Sequence, residues 1–188
     1  MNPPPVIDYE SIFVHAPVGM CISENRIIQS CNDALAAMFG YARSDLAGLS
    51  FLVLYPTRDE FLRTGDRIIP IMGAKGRYSD ERIMRRANGE LFWCHVSGHA
   101  LLPKQALGAG IWTFEDVSEK RPVTAQLTPR EREIAALLVE GKTSKMIARQ
   151  IDLSPRTVEM HRAKLMRKFA AATSSELTHK LIGIDPPD

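Results

Sequence analysis

Between Tyr78 and Val117 apolar side chains recur at every second position, and from Leu127 onward at every third or fourth. A period of two belongs to a strand and a period of 3.6 to a helix, so the chain is read as two units of different class. "YSDERIMRR", "ELFWCHVSGHALL" and "GAGIWTFEDV" give three strands, joined by "ANG" and by a "PKQALG" loop. In the middle strand Phe92, Cys94, Val96, Gly98 and Ala100 share one face, and Trp93, His95, Ser97 and His99 share the other. The first set is apolar and small. It is expected to face the core, which leaves the second set outward.

The segment before these strands mixes both periods. "YESIFVHA" predicts a short helix with Ile12, Phe13 and Ala16 on one side. "VGMCISEN" and "RIIQSC" predict two strands around a "SENR" turn. Asn32 is placed to cap a helix "DALAAMFG" that Gly40 ends. Residues 57–72 predict another helix, closed by Pro70. Two strands, then helices, then three strands suggest an α+β unit, an antiparallel sheet with helices on one face.

The C-terminal part is all helical. Thr128, Pro129 and Glu131 form a capping box with proline at the first helical position, and Gly141 ends that helix. Ser144 is expected to cap "KMIARQI", and Ser154 to cap a helix running to Phe169. "SSELTHKLI" makes a fourth. On a helical wheel Val158, His161, Leu165 and Phe169 fall within about 80° of arc and are expected to face the core. Arg156, Glu159, Met160, Ala163, Lys164 and Arg167 cover the opposite side. The stretch "VSEKRPVTAQ" joins the two units, and Pro122 forbids an unbroken helix through it.

Charge follows the same division. Residues 1–126 carry 13 Lys and Arg against 14 Asp and Glu; residues 127–188 carry 11 against 8. The small second unit is the basic one, which points to an anionic partner for it. No apolar run reaches membrane-spanning length, and no signal peptide opens the chain, so no membrane association and a cytoplasmic location are expected. Cys21, Cys31 and Cys94 are odd in number and lack CxxC spacing, which argues against a disulfide framework.

Two resemblances sharpen this. "IFVHAPVGMCISENRIIQSCNDALAAMFGYARSDLAG", the "NGELFW" turn and the closing "FEDVSEKR" resemble a PAS domain. That family implies a five-stranded antiparallel sheet with flanking helices and a cavity between them, often a sensor of small molecules, light, gases or redox state. "LTPREREI", "LSPRTVEMHR" and the residues between resemble the LuxR-type four-helix DNA-binding domain, which contains a helix-turn-helix. This implies that the third helix enters the major groove of double-stranded DNA, and that the fourth makes a homodimer contact, for which Leu177 and Leu181 are the candidates. The expected organisation is a loose start (1–8), a PAS sensor (9–120), a linker (121–126), the helix-turn-helix domain (127–183) and a loose end (184–188).

The expected DNA-binding residues are Thr128, Ser144, Lys145, Ser154, Arg156, Thr157, Glu159, Met160, Arg162, Ala163, Lys164 and Arg167. Glu159 is expected to accept from cytosine N4 or to orient a neighbouring Arg. The expected ligand pocket is lined by Met20, Ile22, Phe92, Cys94, Val96, Gly98, Trp112 and Phe114, with small residues at Gly98, Ala100 and Gly110 leaving room beside Trp112. Metal binding is not expected: on a strand His95 and His99 lie about 13 Å apart, too far to share an ion. Haem and flavin are disfavoured, because residues 57–72 hold no His and the "NDALAAMFGY" segment lacks the flavin-type Cys. No nucleotide loop or hydrolase motif is present, so no enzyme is expected. The reading is a one-component transcription regulator. The alternative is a PAS unit that binds no ligand and only dimerises or docks a partner.

Overall fold

The computed structural model describes residues 8–102, 108–119 and 127–182. The predicted linker with Pro122, most of the "PKQALG" loop and both expected loose ends lie outside them, apart from Asp8. Helix α1 (Tyr9–His15) leads into strands β1 (Gly19–Glu24) and β2 (Ile27–Cys31). α1 buries no residue, and Ile12 of its expected apolar side stands in solvent. Asn25 and Arg26 both adopt positive φ, 51° and 63°. That is the backbone of a two-residue hairpin turn whose twist matches the strands. Asn32 caps helix α2 (Asp33–Phe39) by accepting from Leu35 N–H; its Oδ1 also accepts from Met20 N–H, and its amide donates to the Val18 carbonyl. One fully buried side chain thus fixes the helix start to the first strand.

Helix α3 (Arg43–Leu46) and a 3-10 turn (Phe51–Leu54) precede the long helix α4 (Arg58–Lys75). Pro70 does not close α4. The helix runs one turn further, to a Gly76 cap at φ 67°. Proline in a helix interior costs about 3 kcal/mol; here Ile68 and Met72, on either side of it, are buried, and that packing holds the last turn. Strands β3 (Arg77–Arg85), β4 (Leu91–Ala100) and β5 (Gly110–Asp116) complete a five-stranded antiparallel sheet of order β2-β1-β5-β4-β3. Its inner face packs Phe92 and Phe114 edge-on against Phe39 of α2, at 5.2 and 5.8 Å between centroids.

The C-terminal unit comprises α5 (Pro129–Val139), α6 (Ser144–Gln150), α7 (Pro155–Lys168) and α8 (Ser174–Ile182). The Thr128–Glu131 capping box is present, and Ser154 caps α7. α6 is capped by Thr143, not Ser144, which is the first helical residue and is buried. Ile134, Leu137, Ile147, Val158 and Leu165 are solvent-free and form the core with Leu177 and Leu181. Leu177 and Leu181 were expected at a dimer surface; at 1 % and 2 % exposed they have none to offer. They are the apolar ridge by which the short α8 closes over α5.

The outer face of the sheet is also not free. Trp93 and Ile83 are 2 % and 5 % exposed, because they belong to the same apolar cluster as α5. Leu91 and Val117 pack against that cluster. A Trp buries upward of 150 Å², so the two units are joined by core-like packing. Among the described residues no helix is long and apolar enough to cross a membrane.

Candidate ligand cavity and candidate nucleic-acid interface

A cavity open to solvent at one end lies between the inner sheet face and α4. Its apolar wall is Phe51, Ile68, Ile69, Met72, Met84, Val96, Trp112 and Phe114, and its polar edge is Ser23, Arg26, Tyr55 and Arg82. Of the eight expected pocket residues, Val96, Trp112 and Phe114 line it. Met20 and Ile22 do not: along β1 it is Cys21 and Ser23 that are buried, so the expected register is off by one and the two apolar residues point the other way. Phe92 and Cys94 face inward but belong to the solid core rather than the cavity wall. Gly98 leaves no void either. The Trp112 ring occupies its place, so that an added Cβ would stand 2.4 Å from the ring.

The residues missed are charged. Arg82 is an inward strand position, 6 % exposed, and donates to the Tyr55 hydroxyl at 2.6 Å and to Asp80 at 2.7 Å. Asp80 also accepts from Arg67 of α4 at 2.6 Å and from the Tyr78 hydroxyl at 2.8 Å. Burial alone would lower the Arg82 pKa, but Asp80 and the two phenols raise it above the ordinary value, so the side chain is cationic. The signal in the sequence was "DER", an acid and a base two apart on an otherwise apolar strand face. Cys21, Cys31 and Cys94 are all buried, and burial pushes the Cys94 thiol up to about 12, which keeps it an inert core group.

α4 has a second face. Glu60 Oε1 accepts from Arg132 Nη2 of α5 at 2.6 Å, and Arg63 Nε lies 3.1 Å from Glu133 Oε2. Arg132 further donates to the Leu127 carbonyl. The same helix that lines the cavity through Gly65, Ile68 and Met72 therefore grips the C-terminal unit through Glu60 and Arg63.

Along α7 the wheel holds. Val158 and Leu165 are buried, while Arg156, Glu159, Met160, Ala163, Lys164 and Arg167 are exposed. His161 and Phe169 are only half-buried, at the edge of the core side. Lys145 on α6 is exposed as well. Other members of the expected DNA set have internal work. Arg162 donates to Ser144 Oγ at 2.6 Å and to Ser174 Oγ at 2.8 Å, tying α7 to α6 and α8. Thr128 and Ser154 use their hydroxyls as caps, accepting from Glu131 and Thr157 N–H. Glu159 lies 3.4 Å from Arg162, so it borders the cation that holds the helices together.

Comparison with known proteins agrees with this division. Residues 17–119 match the PAS domain family, and residues 125–181 match the bacterial regulatory proteins of the luxR family. The N-terminal part is similar to the sensor protein TdiS of Thauera aromatica, 33 % identical over 117 residues, which is 62 % of this chain and 21 % of TdiS. The C-terminal part is similar to the transcriptional regulatory protein FixJ of Bradyrhizobium diazoefficiens, 49 % identical over 53 residues, 28 % of this chain and 26 % of FixJ. The chain thus spans a fifth to a quarter of the length of these relatives. Among solved structures, the PAS domain of a LuxR-family transcriptional regulator from Burkholderia thailandensis, in complex with ethanol, is 59 % identical and superposes with a TM-score of 0.58, covering 60 % of this chain and 99 % of that one. The VqmA dimer of Vibrio cholerae, a LuxR-type receptor, shares the fold over 97 % of this chain and 92 % of its own at 20 % identity, TM-score 0.57. With a PAS domain that covers over half its length, the chain belongs to the PAS domain family, and it carries after it a domain of the bacterial regulatory proteins of the luxR family.

Proposed function

We propose that this is a one-component regulator in which a small molecule in the PAS cavity controls the DNA affinity of the helix-turn-helix domain through α4. The observation that carries this is the two-faced helix: Ile68 and Met72 meet the cavity while Glu60 and Arg63 hold α5. A ligand that displaces α4 by a fraction of an ångström acts directly on a buried ion pair, and packed interfaces respond to such shifts in steps rather than gradually. The DNA surface is the exposed face of α7, with Arg156, Glu159 and Met160 toward its N-terminal end reaching bases, and Lys164 and Arg167 toward phosphates. Lys145, Thr157 and Ala163 lie alongside, while Arg162, Ser144, Ser154 and Thr128 shape the surface from behind. The PAS unit is 9–120 and the DNA-binding unit 127–183. The regulator acts in the cytoplasm as a dimer on an inverted-repeat site, as the fold shared with the VqmA dimer suggests.

The test uses a duplex selected from a random pool by the full chain. Glu60→Gln should change the affinity for that duplex and abolish its response to cavity ligands. Wild-type affinity and wild-type response in this variant would overturn the α4 route.

A further inference from the structure

We propose that the cavity takes a small monocarboxylate with an apolar body, and that Arg26 grips its carboxylate. This rests on the reading of the cavity as a ligand site and specifies its chemistry.

Arg26 is built into place. It occupies the second turn position at φ 63°, a left-handed conformation that a residue with a Cβ adopts only at a cost. Its guanidinium lies 3.4 Å from the centroid of the Phe61 ring, and Nη2 donates to the Phe61 carbonyl at 2.7 Å. It crosses α4 at Gly65, where a Cβ would stand 2.2 Å from Nη1. Gly65 is the gap that lets the arginine reach the cavity edge, and glycine in a helix interior is otherwise unfavourable.

The charge around it does not balance. Among the described residues no carboxylate forms an ion pair with Arg26. Asp80, the buried carboxylate on this side of the sheet, is already shared by Arg67 and Arg82. Three guanidinium groups thus lie around one inward carboxylate, with Asp66 acting on Arg26 from the exposed side of α4. Burial lowers the Arg26 pKa and Arg82 adds to that, while Tyr55 and Asp66 work in the opposite direction, and arginine stays charged in proteins. Arg26 is half-buried and is met by the Phe61 carbonyl and ring, so its protein partners are neutral, and an anionic ligand supplies a charged one.

The polar edge is also rich in donors. Arginine has no acceptor. The Tyr55 hydroxyl accepts from Arg82, which leaves its proton to give. Ser23 Oγ accepts from Trp112 Nε1 at 2.9 Å, which leaves its proton as well. A ligand whose polar end accepts is matched best, and a planar carboxylate fits the guanidinium fork. The remaining wall, Phe51, Ile68, Met72, Met84 and Trp112, favours an aryl or branched alkyl body. A cationic amine is disfavoured, since Arg26 and Arg82 on this edge repel it.

The experiment is calorimetric titration of the full chain with benzoate, cyclohexanecarboxylate and hexanoate, beside the neutral benzamide and benzyl alcohol. A carboxylate is expected to bind at least about tenfold more tightly than its neutral counterpart. Arg26→Gln should erase that difference while leaving the weak binding of benzamide. Arg26→Lys should keep part of it, and circular dichroism reports whether either variant is folded. Gly65→Ala, which displaces the guanidinium from α4, should act like Arg26→Gln. Neutral probes binding as tightly as carboxylates, or no carboxylate binding at millimolar concentration, would overturn the assignment while leaving a neutral-ligand sensor standing. If no probe of either kind binds, the cavity reading itself fails too.

Discussion

Glu60 Oε1 and Arg132 Nη2 meet at 2.6 Å, 72 residues apart in sequence, with side chains only 10 % and 9 % exposed. Beside them Trp93 and Ile83 are sealed under α5. The pair is a specific bolt on an apolar joint. Removing one member of a buried pair strands the other, at about 3–5 kcal/mol. Glu60→Ala should therefore loosen the joint by a comparable amount, seen as faster amide exchange in α5 and a red shift of Trp93 emission, while α2 and β1 keep their protection.

The same carboxylate gives the joint a pH dependence. Burial raises the Glu60 pKa above its ordinary 4.5, with Arg132 working in the opposite direction. The docked form thus binds a proton more tightly than the undocked one, so docking is strongest below the ordinary value and weakens as pH rises through the raised one. Glu131 behaves oppositely. Burial would raise it, but Lys168 and Thr128 outweigh that and hold it low, so its contribution is present above 4.5 and is lost as pH falls through the lowered value. Thermal unfolding across acid and neutral pH should show Glu131→Gln with a flatter acid limb. Glu60→Gln should instead remove the decline of docking on the neutral side. Identical profiles for the two variants would contradict this assignment.

Leu181 is a core residue, and Leu181→Ala should cost about 2–5 kcal/mol by the large-to-small rule. Denaturant unfolding measures it. A loss below about 0.5 kcal/mol, ordinary for a surface site, would return α8's apolar ridge to the surface.

How much of this was legible in the sequence follows from what each residue answers to. The Thr128 box, the Asn32 cap and the Gly40 stop are local chemistry, and each stands where spacing placed it. The inner face of β4 follows from alternation. What escaped depends on the other unit. Trp93 looks outward until α5 is set upon it, and Leu181 looks like an exposed ridge until α5 lies beneath it. Met20 and Ile22 escaped for a different reason: on β1 the apolar residues face away from the core, and small Cys21 and Ser23 pack inside, so hydrophobicity alone gives the wrong register. Arg26 and Arg82 were passed over because charged residues are rarely counted as interior; Phe61 and Tyr55, which receive them, lie on other elements, and only Asp80 is local, two residues from Arg82 on the same strand.

On α7, Lys164→Ala and Arg167→Ala should each weaken binding to all duplexes alike and lower the salt slope by about one. Glu159→Ala should leave non-specific binding undiminished and reduce discrimination at one base pair per half-site by roughly 1–3 kcal/mol. Titration against the selected duplex and its single-base variants at two salt concentrations separates the two. Because Glu159 also borders Arg162 at 3.4 Å, an equal loss on every sequence would assign the carboxylate to holding the helix rather than reading DNA.

The central claim is that the cavity and the α5 joint are coupled through α4. Amide hydrogen exchange of residues 129–139 should be measured with the cavity empty and with it saturated, by benzoate or by the neutral analogue if the titration favours that. The account predicts that occupancy changes α5 exchange by about tenfold, some 1.4 kcal/mol of coupling, and that Glu60→Gln abolishes the change. Exchange that alters only along the cavity wall, with α5 the same in both states, would contradict it.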